Sequence, residues 1–472
     1  MIIDILQLII DHLDTFDQIQ CMQIDKFTYQ NIYIYSLDTQ KFKYIDQDVI
    51  MQPKFRKLKI LCCKNNFKIN NLNHLANSLK ILDCSRDTYD MNNNSGINQF
   101  SISQLKYVTI LNCEGNEDIF DVNHLNYLEE LNCSDDCGIQ QSGFSKLNKL
   151  KILDCSSNIN ITNLDHVKHT LEKLHCCYRC GINQSEIYKL NHIKILDCSE
   201  NKFIFNLDHL SDILEELHCY KTKINQRTIS KLNNIKILDC AYNSNITNLN
   251  HLSDTLEELY CSGSNVDQFG ISKLKCIKIL YCDDNYLINN VNHLSSTLEI
   301  LNCSDDSAIN QFGISELKCI KILYCDDNCL INNVNHLSPT LEILNCSHDS
   351  AINQFGISEL TNLTHLYCRN NQNIFSVNHL NRTLTHLDCS GSRCAIDQNG
   401  ISKLCNVSYL DFHYNNKIYD VNHLADSLDY LDCSNNDNID QHGISNLNCI
   451  RILRCKDCTN IHCVNHMKNT IE

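Results

Sequence analysis

At 472 residues the chain exceeds what one compact core organises well, so it needs either several domains or a fold that grows in one dimension. Forty Lys and Arg against 56 Asp and Glu leave a formal charge of −16, which opposes phosphate neutralisation and argues against nucleic acid as a partner. No stretch of about 18 apolar residues occurs anywhere, so no membrane span is predicted.

The chain opens on Met1-Ile-Ile-Asp4, which lacks the basic segment of a secretory signal, and Asp4 and Asp11 interrupt the apolar run that follows. Ile2, Ile5, Leu6, Ile9, Ile10 and Leu13 fall at helical spacing and predict one amphipathic helix. Asp14 and Thr15 offer capping oxygens for a second helix over about 16–24, and a third is predicted over about 26–35.

From Leu58 onward one pattern takes over: apolar residues at positions 1 and 4, Cys at 6, and Asn or another mostly polar residue at 9. It recurs nineteen times between Cys63 and Cys455, with Phe412 the one exception to Cys at position 6. Only the step from Cys84 to Cys113 is long, and its extra residues, within 88–95, read as a loop. The period doubles, because residues 268–310 are repeated as 311–353 with four differences, Lys273/Glu316, Tyr286/Cys329, Ser296/Pro339 and Asp305/His348. A unit that can be copied beside itself must pack mainly on its neighbours, which is how a solenoid behaves.

Two coil types alternate. Type A carries Asn at position 9, as in Asn158, Asn201 and Asn328, where a buried amide can satisfy backbone groups at each turn. Type A also has Lys at position 2 (Lys151, Lys194, Lys278, Lys321) where type B has Glu (Glu172, Glu215, Glu257, Glu299), so adjacent strands should pair opposite charges. A His stands eleven residues after position 6 in every type A coil, from His74 to His466. Successive members of that column are two strand spacings apart, about 10 Å, too far to share an ion, so a structural role at the turn is expected. The Cys at position 6 reads as a small buried apolar residue, a free thiol in a reducing compartment; equivalent Cys on neighbouring coils project in parallel and do not converge into disulfides.

The repeat resembles the leucine-rich repeat, Leu-x-x-Leu-x-Leu-x-x-Asn/Cys, with Cys in place of Leu at position 6. The resemblance implies an α/β solenoid: a leucine-rich-repeat horseshoe of about 19 short coils over residues 58–472, with a parallel β-sheet on its concave face. A small helical N-terminal domain over residues 1–57 precedes it. That segment is similar to the opening helices of the F-box: Asp4-Ile-Leu-Gln-Leu-Ile-Ile-Asp-His-Leu13, then Asp17 and Ile19, then Ile24-Asp-Lys-Phe27. An F-box would set Ile5, Leu6, Ile9, Ile10 and Leu13 partly against a Skp-type adaptor; the alternative is a helical cap that shields the first coil. Few Pro, Gly and Trp beside abundant Ile, Asn, Lys and Tyr resemble proteins of AT-rich protists or large DNA viruses.

Position 5 points away from the core, and through the later coils it reads Tyr260, Tyr281, Asn302, Tyr324, Asn345, Tyr367 and Asp388. Tyr offers large contact area with a polar tip, so these residues are the expected client-binding surface, although strands also favour Tyr for its own sake. At the C-terminus Cys455, Cys458, His462, Cys463 and His466 spell a spacing that zinc accepts; a packed thiol cluster or a frayed end are the competing expectations. No Gly-rich phosphate loop, Ser-His-Asp set or His-Glu-x-x-His motif occurs, and Cys177-Tyr-Arg-Cys180 lies in a coil turn, so neither catalysis nor a cofactor is expected. Together the two resemblances imply a cytoplasmic substrate receptor of a Skp/cullin-type ubiquitin ligase, in the host cytoplasm if the protein is viral. A protein-interaction scaffold with no ligase link is the alternative.

Overall fold

The computed structural model describes residue 18 and residues 32–464 apart from 43, 88–94 and 449. The helix predicted over 2–13 therefore lies outside the described residues, as do His466 and, apart from residue 18, the helix predicted over 16–24.

Each coil contributes a three-residue strand at positions 3 to 5. The central Leu is buried and its two neighbours are half-exposed, as in Ile152–Asp154 and Ile279–Tyr281. Short strands suit this repeat, because position 8 turns the chain sharply. In eighteen coils its φ is positive, from 51° at Lys221 to 89° at Gly391. Asn, Asp and Gly recur there because they tolerate the left-handed conformation. The Asn or Asp at position 5 steadies that turn by accepting the N–H of position 7, as Asp154 does from Ser156 and Asn132 from Ser134, both at 3.0 Å.

The chain divides into two compact units, residues 1–234 and 235–472. Among the described residues, the N-terminal unit carries nine strands from Ser36–Asp38 to Glu216–His218, and the C-terminal unit eleven from Ile237–Asp239 to Ile452–Arg454. Within each unit consecutive strands pair in parallel and in register, so Leu stacks on Leu: Leu153 on Leu174, Leu344 on Leu366. The core behind them is this Leu column, the position-1 residues and the position-6 thiols, nearly all of them fully buried.

The ladder begins one coil before the Cys pattern does. Ser36–Asp38 pairs with Ile60–Cys62, and residues 32–35, the described part of the helix predicted over 26–35, run into that strand without helix. Ile34, Leu37 and Thr39 fill positions 1, 4 and 6, all buried. The buried Thr39 hydroxyl has no hydrogen-bond partner. A thiol at that position carries no such penalty, which accounts for Cys in the coils that follow.

Side chains then stitch coil to coil. Asn158 donates through Nδ2 to the carbonyls of Cys133 (3.0 Å) and Ile139 (3.2 Å) in the preceding coil and accepts the N–H of Asn160 at 3.0 Å. The His column is structural in the same sense: His209 and His379 each place Nε2 2.9 Å from the Ile carbonyl of the coil before, at Ile187 and Ile357. A Gln column ties type B coils to the type A coils that follow them. Gln268 accepts the N–H groups of Asn289 and Asn290 at 3.1 and 2.9 Å and donates to the Asn290 carbonyl at 2.9 Å. Two residues on, Gly270 is forced by proximity, since a Cβ there would stand 2.0 Å from the Thr247 carbonyl oxygen. Lys151, Lys278 and Lys321 pair with Glu129, Glu257 and Glu299 of the preceding coil at 2.5 to 2.7 Å, but both partners are about half exposed and such pairs add little stability.

Candidate functional site

Positions 3 and 5 of every strand face away from the core, and this open face is where side chains are free to differ. In the N-terminal unit position 5 alternates acid with imidazole: Asp154, His175, Asp197, His218. His175 Nδ1 lies 3.6 Å from Asp197 Oδ2. Burial opposes ionisation of Asp197, yet hydrogen bonds from His175, Ser199 and Cys177 outweigh it and hold the carboxyl well below its usual range.

In the C-terminal unit Tyr260, Tyr281, Tyr324 and Tyr367 stand half-buried in one row. The Tyr260 and Tyr281 ring centroids are 5.1 Å apart, and those of Tyr281 and Tyr324 6.4 Å apart across Asn302. Burial, then the Glu258 carboxylate that accepts its hydroxyl at 3.2 Å, pushes the Tyr260 phenol up to about 12. The other residues expected in this row are already engaged. Asn302 and Asn345 donate to Asp283 and Asp326 at 3.0 and 2.9 Å and accept the N–H of Ser304 and Ser347. Asp388 accepts both the N–H and the hydroxyl of Ser390. These three hold the turn, and the Tyr rings are left as contact area.

Beside the Tyr row runs an acidic margin in which the carboxylates of Asp283, Asp284 and Asp305 lie within 4.8 Å of one another. Burial, followed by the charges of Asp284, Asp326, Asp283 and Asp327, raises the Asp305 carboxyl. Further along, position 3 changes from Ile to flat rings. His365 and His386 stack at 4.0 Å, His386 and Tyr409 at 5.5 Å, and Tyr409 and Tyr430 at 4.2 Å. Arg454 closes the stack by donating Nη1 to the Tyr430 hydroxyl at 2.9 Å. Position 5 carries no trace of this stack; its signal in the sequence is at position 3 of the same repeat, His365, His386, Tyr409 and Tyr430.

A second feature outside the sequence expectation is thiol pairing between coils. Cys113 and Cys155 of the ladder meet Cys137 and Cys180 of the following coils, each pair 3.6 Å apart at Sγ. Cys137 and Cys180 line the edge of an open hollow of about 1230 Å³ in the N-terminal unit, with Tyr178, Glu200 and Phe203 on its walls. At the C-terminal end Cys458 is buried and its Sγ donates to the Cys433 carbonyl at 2.9 Å; hydrogen bonding with Cys433 brings its thiol down to about 7. Cys463 and His462 are exposed and Cys455 is half-buried. Among the described residues no three of Cys455, Cys458, His462 and Cys463 bring ligand atoms within reach of one ion.

No family model matches the sequence, and no curated protein matches it. Among solved structures the chain is similar to TLR13 in its complex with ssRNA13, at 15% identity over 92% of this chain and 78% of that one, with a TM-score of 0.52. The fold is a leucine-rich-repeat solenoid. The functional domain of InlJ from Listeria monocytogenes, which includes a cysteine ladder, aligns at 20% identity over 85% of this chain and 73% of that one, with a TM-score of 0.42. The leucine-rich-repeat ectodomain of the plant membrane receptor kinase GASSHO1/SCHENGEN3 from Arabidopsis thaliana aligns at 14% identity over 89% and 63%, with a TM-score of 0.41. Among the described residues of this leucine-rich-repeat chain no helix is long and apolar enough to cross a membrane.

Proposed function

We propose that the protein is a non-enzymatic recognition scaffold that binds a protein client on the open face of its C-terminal unit. The row Tyr260, Tyr281, Tyr324 and Tyr367 carries this reading, because half-buried Tyr rings held by a rigid sheet lose little entropy on contact. The margin of Asp283, Asp284, Asp305, Asp326 and Asp327 selects for Lys and Arg on that client and disfavours a polyanion. The ssRNA of the TLR13 complex belongs to that protein; a net charge of −16 argues against RNA here.

The finer reading, a client receptor for a Skp/cullin-type ubiquitin ligase in the cytoplasm, or the host cytoplasm if viral, rests on the F-box resemblance of residues 4–27. Ile5, Leu6, Ile9, Ile10 and Leu13, which would meet the adaptor, lie outside the described residues. Deletion of residues 1–31 spares the first strand, Ser36–Asp38. It should abolish recovery of a Skp-type adaptor from cells while leaving client recovery and melting unchanged. Adaptor recovery that survives the deletion reduces the proposal to a scaffold without a ligase link.

A further inference from the structure

Position 5 carries Asp in three successive coils, Asp388, Asp411 and Asp432, which pair in register. Parallel strands about 4.8 Å apart set the three carboxylates side by side, and like charges directly opposite are destabilising. The turn does not ask for this charge. Asn112, Asn132, Asn302 and Asn345 accept the same position-7 N–H in their own coils. In the N-terminal unit Asp154 and Asp197 are kept apart by His175.

The middle coil is also unusual at position 7, where His413 is the one imidazole among the nineteen coils and Ser is the commonest residue. Its Nδ1 lies 2.6 Å from Asp411 Oδ1, and the side chains of Asp411 and His413 are only 13% and 20% exposed. The donor atoms of Asp411, His413 and Asp432 all lie within 4.8 Å of one another. The turns employ Oδ1 of each Asp, through the N–H groups of His413 (3.0 Å) and Ser434 (2.9 Å). Around the cluster stand Asp388 on one flank and Arg454 on the other, in register with Asp432, with Tyr409 and Tyr430 beside them at position 3.

We propose that Asp411, His413 and Asp432 bind one divalent metal ion of the class that accepts mixed carboxylate and imidazole donors, such as manganese or zinc. Two carboxylates and one imidazole neutralise the ion and leave its remaining positions to water or to a client side chain on the open face. The ion in turn relieves the repulsion along the Asp row. The other acidic group is a natural control. Asp283 is already occupied by the Ser262 hydroxyl (2.6 Å) and the Asn302 amide (3.0 Å), Asp284 by the Tyr242 hydroxyl (3.1 Å), and no imidazole joins them.

Manganese is the probe, since it favours oxygen and nitrogen donors and ignores the many thiols. Titrating the full chain with Mn²⁺ and counting free ion by electron paramagnetic resonance should show one bound ion per chain, with spin-echo modulation from a directly bound imidazole nitrogen. Asp432→Asn and His413→Ser should each weaken binding tenfold or more, and His413→Ser should erase the nitrogen modulation. Both variants install what other coils already use at those positions, so melting should be unchanged, and if one fails to fold the other decides. Asp284→Asn should leave binding intact. The proposal is overturned by the absence of a stoichiometric site, by undiminished binding in either single variant, or by binding that depends on Asp284 and not on Asp432.

Discussion

In the N-terminal unit the outward row at position 5 reads Asp154, His175, Asp197, His218, while in the C-terminal unit it passes from Tyr260 to Tyr367 and then to Asp388, Asp411 and Asp432. The strands beneath are alike: three residues, a buried Leu, parallel pairing in register. The first row settles its charges internally, as His175 does with Asp197. The second leaves aromatic area open and sets Asp388, Asp411 and Asp432 side by side with no imidazole between them in the row. A repeat that fixes the core at positions 1, 4 and 6 is free to specialise position 5, and binding is to be sought where the row is not self-complementary.

Exchanging Tyr281, Tyr324 and Tyr367 together for Ala should weaken client binding by about 4 kcal/mol in a pull-down titration, while His175→Ala with His218→Ala in the N-terminal unit should leave it unchanged. Equal losses from the two sets would erase the distinction between the rows. Below the surface the units should behave alike. Asn201→Ala and Asn371→Ala each strand two buried carbonyls, those of Cys176 and Ile182 or of Cys346 and Ile352. Each should cost about 3 kcal/mol in denaturant unfolding. A large inequality would mean that the units differ in their scaffold as well as in their surface.

Acid sharpens the contrast. Burial lowers the pKa of His365 and His386 from 6.5, and for His386 the neighbouring His365 lowers it further. The unfolded chain then binds more protons than the folded one, so this stack's contribution is present above pH 6.5 and is lost as pH falls below it. Asp197, whose folded pKa is depressed, contributes above its ordinary value of 3.8 and loses that contribution only as pH falls further. Replacing His365 and His386 by Tyr, the residue that continues the stack, should therefore flatten the fall in melting temperature just below pH 6.5, and Asp197→Asn should not. Smallest of all, Lys151→Ala and Lys321→Ala should leave melting within error, because both ion pairs are half exposed.

Much of this was legible in the chain. Strand, turn and core follow from a pattern repeated nineteen times, and the buried Asn158 amide does what its position predicts. The first coil escaped because Thr39 stands where the pattern demands Cys; Thr39 and Phe412 both occupy that position, and both are buried. The Cys113 to Cys137 pairing escaped because the second thiol lies off the ladder, four residues after Cys133, where other coils carry Ser307 or Ser350. Asn302 and Asn345 point outward as expected, but an outward residue at position 5 also caps its own turn, and spacing alone does not separate the two uses.

The Gln268 clamp has a consequence for how such a chain lengthens. Its bonds reach only to Asn289 and Asn290, and Gln311 makes the same bonds to Asn332 and Asn333. Because these fastenings reach only the adjacent coil, a duplicated 43-residue segment arrives with its own Gln clamps and needs no distant residue to close them. Copying residues 268–310 thus adds two strands, roughly 10 Å of open face, in one genetic event. The spacing between the Tyr row and the Asp411 cluster is for that reason a heritable length, adjustable in whole steps to the dimensions of whatever binds across it.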